Sequence, residues 1–321
     1  MRSRRVRSGR VAVARRERGI ALVLVLWLTI LMTVIASGFA YTMRSEALAA
    51  RNAMSIAQAR ALADGAVQRT VYELIRPRAP DDPWAPDGQP HVWIENDARV
   101  AVSAVDESGR IDLNAATEPI LKNLLKATGG VDDDTAAHIV DAVLDWRDPD
   151  DLKRPNGAEA ADYEAAGLKY KPSNAPFETV AELQRVMGMT PELYARIADS
   201  LTVHTHMPGV NPLYASRGTL LAFPGATPEM VDLYLAQRRD ALAAHLPVPP
   251  FPLQTGFASG PTATWRIRAE VTMPDNVTFI REAVMKPSPD VRRGPIALVW
   301  QEGDRRMLNE PANGTATTNG S

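Results

Sequence analysis

The sequence predicts an α+β fold: a long N-terminal helix packed on an antiparallel sheet, with a large all-α segment interrupting that sheet. Three observations predict it. An uncharged apolar run from Ile20 to Met43 continues past Arg44 into a segment of good helix formers. Strand-like alternation occurs twice, over residues 92–105 and again over 265–300. Between the two, residues 109–245 read as a series of short helices. Strands on both sides of a helical block point to one interrupted sheet, because strand edges need partners.

The elements follow in order. Residues 1–19 hold eight Arg and one Glu, a local charge of +7, and end in Arg18-Gly19. Ile20 to Met43 carries no charged side chain, and ~20 such residues cross a bilayer as a helix. Ile56, Ala59, Ala63, Val67, Val71 and Leu74 then recur every three or four residues, one apolar stripe for packing on a globular body. Pro77 ends the helix. Helix from Ile20 to Arg76 would be roughly 85 Å long at the usual rise. Val92, Ile94, Val100, Val102 and Val105 predict a hairpin that turns at Glu95-Asn96-Asp97.

The helical block opens after Ser108-Gly109-Arg110. Helices are expected over residues 120–126 and 135–145, the second started by Asp132-Asp133-Asp134. Two later segments look alike: residues 177–201 and 216–239 each read helix, Gly-containing turn, helix, and both second helices begin Thr-Pro-Glu. Strands return at Trp265, Ile267, Ala269 and Val271, turn at Pro274-Asp275-Asn276, continue through Phe279, Ala283 and Val284, and gain a third member over Ile296–Trp300. The expected divisions are a leader (1–19), a membrane span (20–43), helix continuation with the first strands (44–108), an inserted α-domain (109–245), C-terminal strands (246–308) and a disordered tail (309–321).

Composition narrows the chemistry. Cysteine is absent, which removes disulfides, thiolate metal sites and Cys nucleophiles. The net charge of −2 divides into +7 over residues 1–19 and −9 over the remainder. The basic end belongs on the cytoplasmic side, and the acidic remainder disfavours nucleic-acid phosphates. No phosphate-binding loop, Gly-x-Ser-x-Gly elbow or zinc cluster is present. Among the histidines only His204 and His206 could share a strand face and chelate a metal.

The most informative polar group is Asp145, Asp148, Asp150 and Asp151, with Glu159 a short loop later. Closely spaced carboxylates on a loop can supply the six to eight oxygens that calcium takes. The competing reading is a solvated acidic loop balanced by Arg147, Lys153 and Arg154.

The basic run ending in Gly19 before the apolar helix resembles the leader of type IV prepilins and type II secretion pseudopilins. That resemblance implies cleavage by a prepilin peptidase between Gly19 and Ile20 and methylation of Ile20. Ordinary pilins carry Glu at the fifth residue after the cut, where this chain has Leu24. Further along stand Asp106-Glu107-Ser108-Gly109-Arg110-Ile111-Asp112-Leu113-Asn114, Asp145-Trp146-Arg147-Asp148-Pro149-Asp150-Asp151, Gly157-Ala158-Glu159 with Tyr163 and Tyr170, and Pro176-Phe177-Glu178-Thr179-Val180-Ala181-Glu182-Leu183. With these, the chain from Arg18 to about Trp300 resembles the K-type minor pseudopilins of bacterial type II secretion systems, which lack that glutamate.

The resemblance implies a pilin-like fold with a helical insertion that holds calcium. It implies a single-pass inner-membrane protein with its body in the periplasm. It also implies I- and J-type minor pseudopilins, the major pseudopilin and the assembly platform as partners in a fibre that supports export through the outer-membrane secretin. A different reading is a membrane-tethered helix-hairpin-helix DNA-binding protein of a competence system. It is disfavoured because Ala226-Thr227 removes a glycine that such hairpins use, and Glu229 and Glu192 stand where a basic residue would serve.

Overall fold

The computed structural model describes residues 17–77, 84–244, 246–253, 257, 262–290 and 292–304. The expected leader, residues 1–19, falls outside them except for residues 17–19, and the expected tail, residues 309–321, falls wholly outside them. The chain divides into two compact units at Gln58/Ala59. Helix α1 (Glu17–Ile75) runs through that division. In the first unit its apolar side chains from Ile20 to Met43 are exposed throughout. This is the one helix among the described residues long and apolar enough to cross a membrane.

The second unit holds a five-stranded antiparallel sheet and the helical block. The sheet contains β1 (His91–Glu95), β2 (Ala98–Asp106), β5 (Trp265–Thr272), β6 (Thr278–Lys286) and β7 (Ile296–Glu302), in that spatial order. The β1–β2 hairpin turns on Asn96 and Asp97, both at positive φ, which matches the right-handed strand twist. One face of the sheet is apolar at every second residue: Val100, Val102, Ala104, Ile267, Ala269 and Val271 are buried against Ala59, Ala63, Ala66, Val67, Val71 and Leu74 of α1. The predicted stripe is therefore the packed face from Ala59 onward. Ile56, one turn earlier, is 45% exposed, a correction to the expectation. Arg281 on β6 donates to Asp64 of α1 at 2.7 Å.

Between β2 and β5 lie β3 (Ile111–Asp112), α2 (Glu118–Ala127), α3 (Asp133–Arg147), α4 (Ala160–Ala165), α5 (Pro191–Ile197), β4 (Leu201–Thr202), α6 (Arg217–Leu221) and α7 (Pro228–Ala243). They share a core of their own, with Leu113, Leu124, Ile139, Leu183, Ile197, Leu220 and Phe223. Thr190 and Thr227 accept the N–H groups of Leu193 and Met230, the caps that Thr-Pro-Glu predicts. Gly188 (φ +86°) and Gly225 (φ +87°) make the left-handed turns before these caps. Two local readings differ from the structure. Residues 180–185 are a 3-10 turn rather than an α-helix, and β3 pairs in parallel with β4, 90 positions further on.

The block joins the sheet through Glu107, the residue after β2. Its carboxylate is fully buried. It accepts Arg266 Nε at 2.8 Å and the Thr202 hydroxyl, and pairs with Arg110 at 3.5 Å. Its own N–H donates to the Thr264 carbonyl at 2.8 Å.

Candidate functional site

The acidic group sits where α3 ends. Asp141 and Asp145 lie one turn apart on one face of α3, and both are buried. Asp148 is the C-cap, Asp150 and Asp151 lie in the loop beyond, and Glu159 is the N-cap of α4. Asp145 has a side chain with no exposure, and both its oxygens face the Arg154 N–H at 3.3 Å. Gly157 is packed so closely that a Cβ there would stand 1.9 Å from Asp145 Oδ2. Both Glu159 oxygens are buried without a hydrogen-bond partner, as is Asp148 Oδ1. Asp150 Oδ1 accepts the Leu152 N–H at 2.8 Å, and Asp151 Oδ1 accepts the Asn174 amide at 2.8 Å. The structure thus turns Asp145, Asp148 and Glu159 inward and leaves Asp150 and Asp151 engaged at the rim. As they stand, no three acidic or imidazole groups among the described residues close around one ion position.

Electrostatics mark the group. Burial pushes the Asp145 carboxyl up and the Asp148 charge adds to it, while the Arg154 N–H and guanidinium work the other way. Burial also raises Glu159, and the charges of Asp145, Asp151, Asp148 and Asp150 reinforce it. A carboxyl whose folded value is raised loses stability as pH rises through that value. At neutral pH the group therefore holds repulsion that a cation would relieve. Oxygen donors without partners, in a partly dry setting, fit a hard cation.

A floor of rings supports the loop. Trp146 stacks with Phe177 at 6.2 Å and meets Tyr163 at 6.0 Å, and Tyr163 lies 5.8 Å from Tyr170. Sequence reasoning missed Asp141, whose Oδ2 accepts the Asn156 N–H and side-chain amide at 3.0 Å. Its spacing of four from Asp145 on a helix was the available signal.

Gly19 and Ile20 lie in α1, within its first turn. Leu24 is exposed in the apolar segment. His204 and His206 lie beyond β4 rather than along a strand, and His206 has φ +53°. The expected shared strand face does not form. The second helices of the two hairpins start with Glu192 and Glu229 in their first turns.

A family model described as type II secretion system (T2SS), protein K, matches residues 98–206. The type II secretion system protein K of Klebsiella pneumoniae is 31% identical over 257 residues, spanning 71% of this chain and 75% of that protein. The chain belongs to the type II secretion system protein K family. The protein K of Pectobacterium carotovorum subsp. carotovorum is 28% identical over 206 residues, 57% of this chain and 61% of that protein. In structure the chain resembles one in the crystal structure of the GspK-GspI-GspJ complex from the enterotoxigenic Escherichia coli type 2 secretion system. The TM-score is 0.53 at 18% identity, covering 82% of this chain and 99% of that one. This likeness bears out the fold: a long apolar helix, an antiparallel sheet and a helical insertion.

Proposed function

We propose that this member of the protein K family is the subunit that starts the pseudopilus and remains at its tip, bound to I- and J-type minor pseudopilins. Membership in the family makes the chain a minor pseudopilin. The observation that carries the tip position is Leu24. A buried carboxylate in an apolar helix bundle is costly without a partner. A first subunit has no predecessor whose free amine could supply one, and leucine removes the need. The helical block between β2 and β5 supports the same position, because its bulk suits an end better than a repeating shaft. Electron microscopy or cross-linking of assembled fibres tests this: the protein is expected at one end only. Copies along the shaft in numbers matching the major subunit would overturn it.

The run ending in Gly19 supports removal of the leader by a prepilin peptidase and retention of α1 in the inner membrane, the body facing the periplasm. N-terminal sequencing of membrane-extracted protein is expected to begin at Ile20, methylated. Intact Met1, or a cut after Ala40, would contradict the processing.

The acidic group is proposed to hold calcium through Asp145, Asp148 and Glu159, with Asp150 and Asp151 at the rim. Bound calcium would supply positive charge between carboxylates that otherwise repel. A fragment lacking residues 1–43 is expected to melt at higher temperature in millimolar calcium than in chelator, because the folded state alone presents the site. Identical melting curves would remove calcium from the reading.

A further inference from the structure

We propose that Arg154 is the resident cation of the acidic group, a competitor that calcium must displace, and so sets the calcium affinity of this chain. This role presupposes the calcium site proposed above. One guanidinium bridges two carboxylates: Arg154 Nε lies 3.4 Å from Asp145 Oδ1, and an Arg154 terminal nitrogen lies 3.4 Å from Asp148 Oδ2. Among the described residues no other Lys or Arg forms an ion pair with either carboxylate. Lys153, its neighbour, is engaged outside the group, 2.6 Å from Asp162.

The grip is loose. Charge-assisted contacts of this kind ordinarily close to about 2.7–2.9 Å. Here Arg154 Nε is buried without a satisfied hydrogen bond. Nor does the guanidinium reach everything that needs charge, since both Glu159 oxygens remain without a partner. A divalent ion could serve all three carboxylates at once. Arg154 also has somewhere to go. Its side chain is 41% exposed and walls an open cleft of about 240 Å³ with Asn114, Leu144, Arg147, Asp148 and Pro176. In that cleft Arg147 is already committed to backbone, donating to the Leu113 and Ala116 carbonyls.

The energetic consequence has a definite sign. Arg154 stabilises the ion-free state by partly neutralising Asp145 and Asp148. It does nothing for the loaded state, in which the ion holds those oxygens. Removing the guanidinium raises the ion-free state alone and therefore tightens binding. For a partly exposed pair the change is about fivefold.

The test uses the full chain in detergent micelles, titrated calorimetrically with calcium chloride alone and melted in chelator and in saturating calcium. Arg154→Gln is expected to bind calcium about fivefold tighter than the unaltered chain. It is expected to melt lower in chelator and at an unchanged temperature in saturating calcium. Unchanged or weaker affinity in Arg154→Gln, with the unaltered chain binding normally, would overturn the role of Arg154 and leave the calcium site standing. Absence of binding in both chains would overturn the calcium site, and this role with it. Binding by Arg154→Gln alone would support Arg154 as a cation strong enough to exclude the ion. If Arg154→Gln does not melt cooperatively, Arg154→Lys decides. It keeps the charge but not the two-armed reach, so tighter binding supports the competition and equal or weaker binding overturns it.

Discussion

Glu107→Ala is expected to destabilise the second unit by about 3–5 kcal/mol, the cost of removing one partner from a buried ion pair. The carboxylate has no exposure, while Arg266 and Arg110 beside it are 29% and 17% exposed. Without Glu107 two partly desolvated guanidiniums lose the carboxylate they share, leaving Arg110 only Asp199 and Glu282 nearby, and the Thr202 hydroxyl loses its acceptor. Burial by itself pushes the Glu107 carboxyl up. Arg266 and Arg110, together with the Thr202 hydroxyl, outweigh it and hold the group below its ordinary 4.5. A lowered folded value contributes stability above the unfolded value and loses it as pH falls through the folded one. The difference between unaltered chain and variant is therefore expected to be full at neutral pH and to shrink below about pH 4. Chemical denaturation of the fragment lacking residues 1–43 measures it. A loss under about 1 kcal/mol, the range of an exposed pair, would show that Glu107 does not join block to sheet.

Tyr163→Ala is expected to cost a similar amount, about 3–5 kcal/mol for a large aromatic taken from a packed core. Tyr163 is wholly buried between Trp146 and Tyr170. Its hydroxyl oxygen accepts the Met187 N–H at 2.9 Å. Burial pushes its phenol up to about 12, so it stays protonated throughout the usable pH range. Tyr163→Phe keeps the ring and strands the Met187 amide, for about 1–3 kcal/mol. Tyr163 lies within the helix that Glu159 caps, so the alanine variant is also expected to lose the near-ultraviolet dichroism of Trp146 and to bind calcium more weakly. Unchanged dichroism together with unchanged stability would mean that the ring floor does not hold the loop.

The parts of the fold legible in the sequence were those fixed by short-range rules. The stripe from Ala59 to Leu74, the turn at Asn96-Asp97 and the caps at Thr190 and Thr227 each depend on residues within a few positions of one another. The exposure of Ile56 was not legible, because periodicity cannot say where along a helix its packing partner begins. The β3–β4 pair was hidden for another reason: two residues per strand carry no alternation. At the acidic group the sequence showed five carboxylates. Which turn inward depends on the ring floor and on the close packing of Gly157 against Asp145. Arg266 gave no signal at all as the partner of Glu107, which lies 159 positions away.

That separation has a consequence for how the chain reaches its native state. Asp106 and Trp265 are paired across neighbouring strands, so the whole helical block begins and ends at one place. Closing a flexible loop of that length costs roughly 4–5 kcal/mol in chain entropy beyond a constant. A block that has already collapsed on its own apolar core brings its two ends together beforehand and spares the sheet most of that loss. The local contacts of α2 with α3 and of α6 with α7 then come early, and the β2–β5 ladder late. During synthesis β2 waits with one edge open until residues 265–272 have emerged. For that interval Val100, Val102 and Ala104 form a short apolar strand able to pair with another copy. The same topology that gives the finished molecule a continuous sheet makes its nascent chain prone to association, and delayed strand closure is the window in which a chaperone would matter.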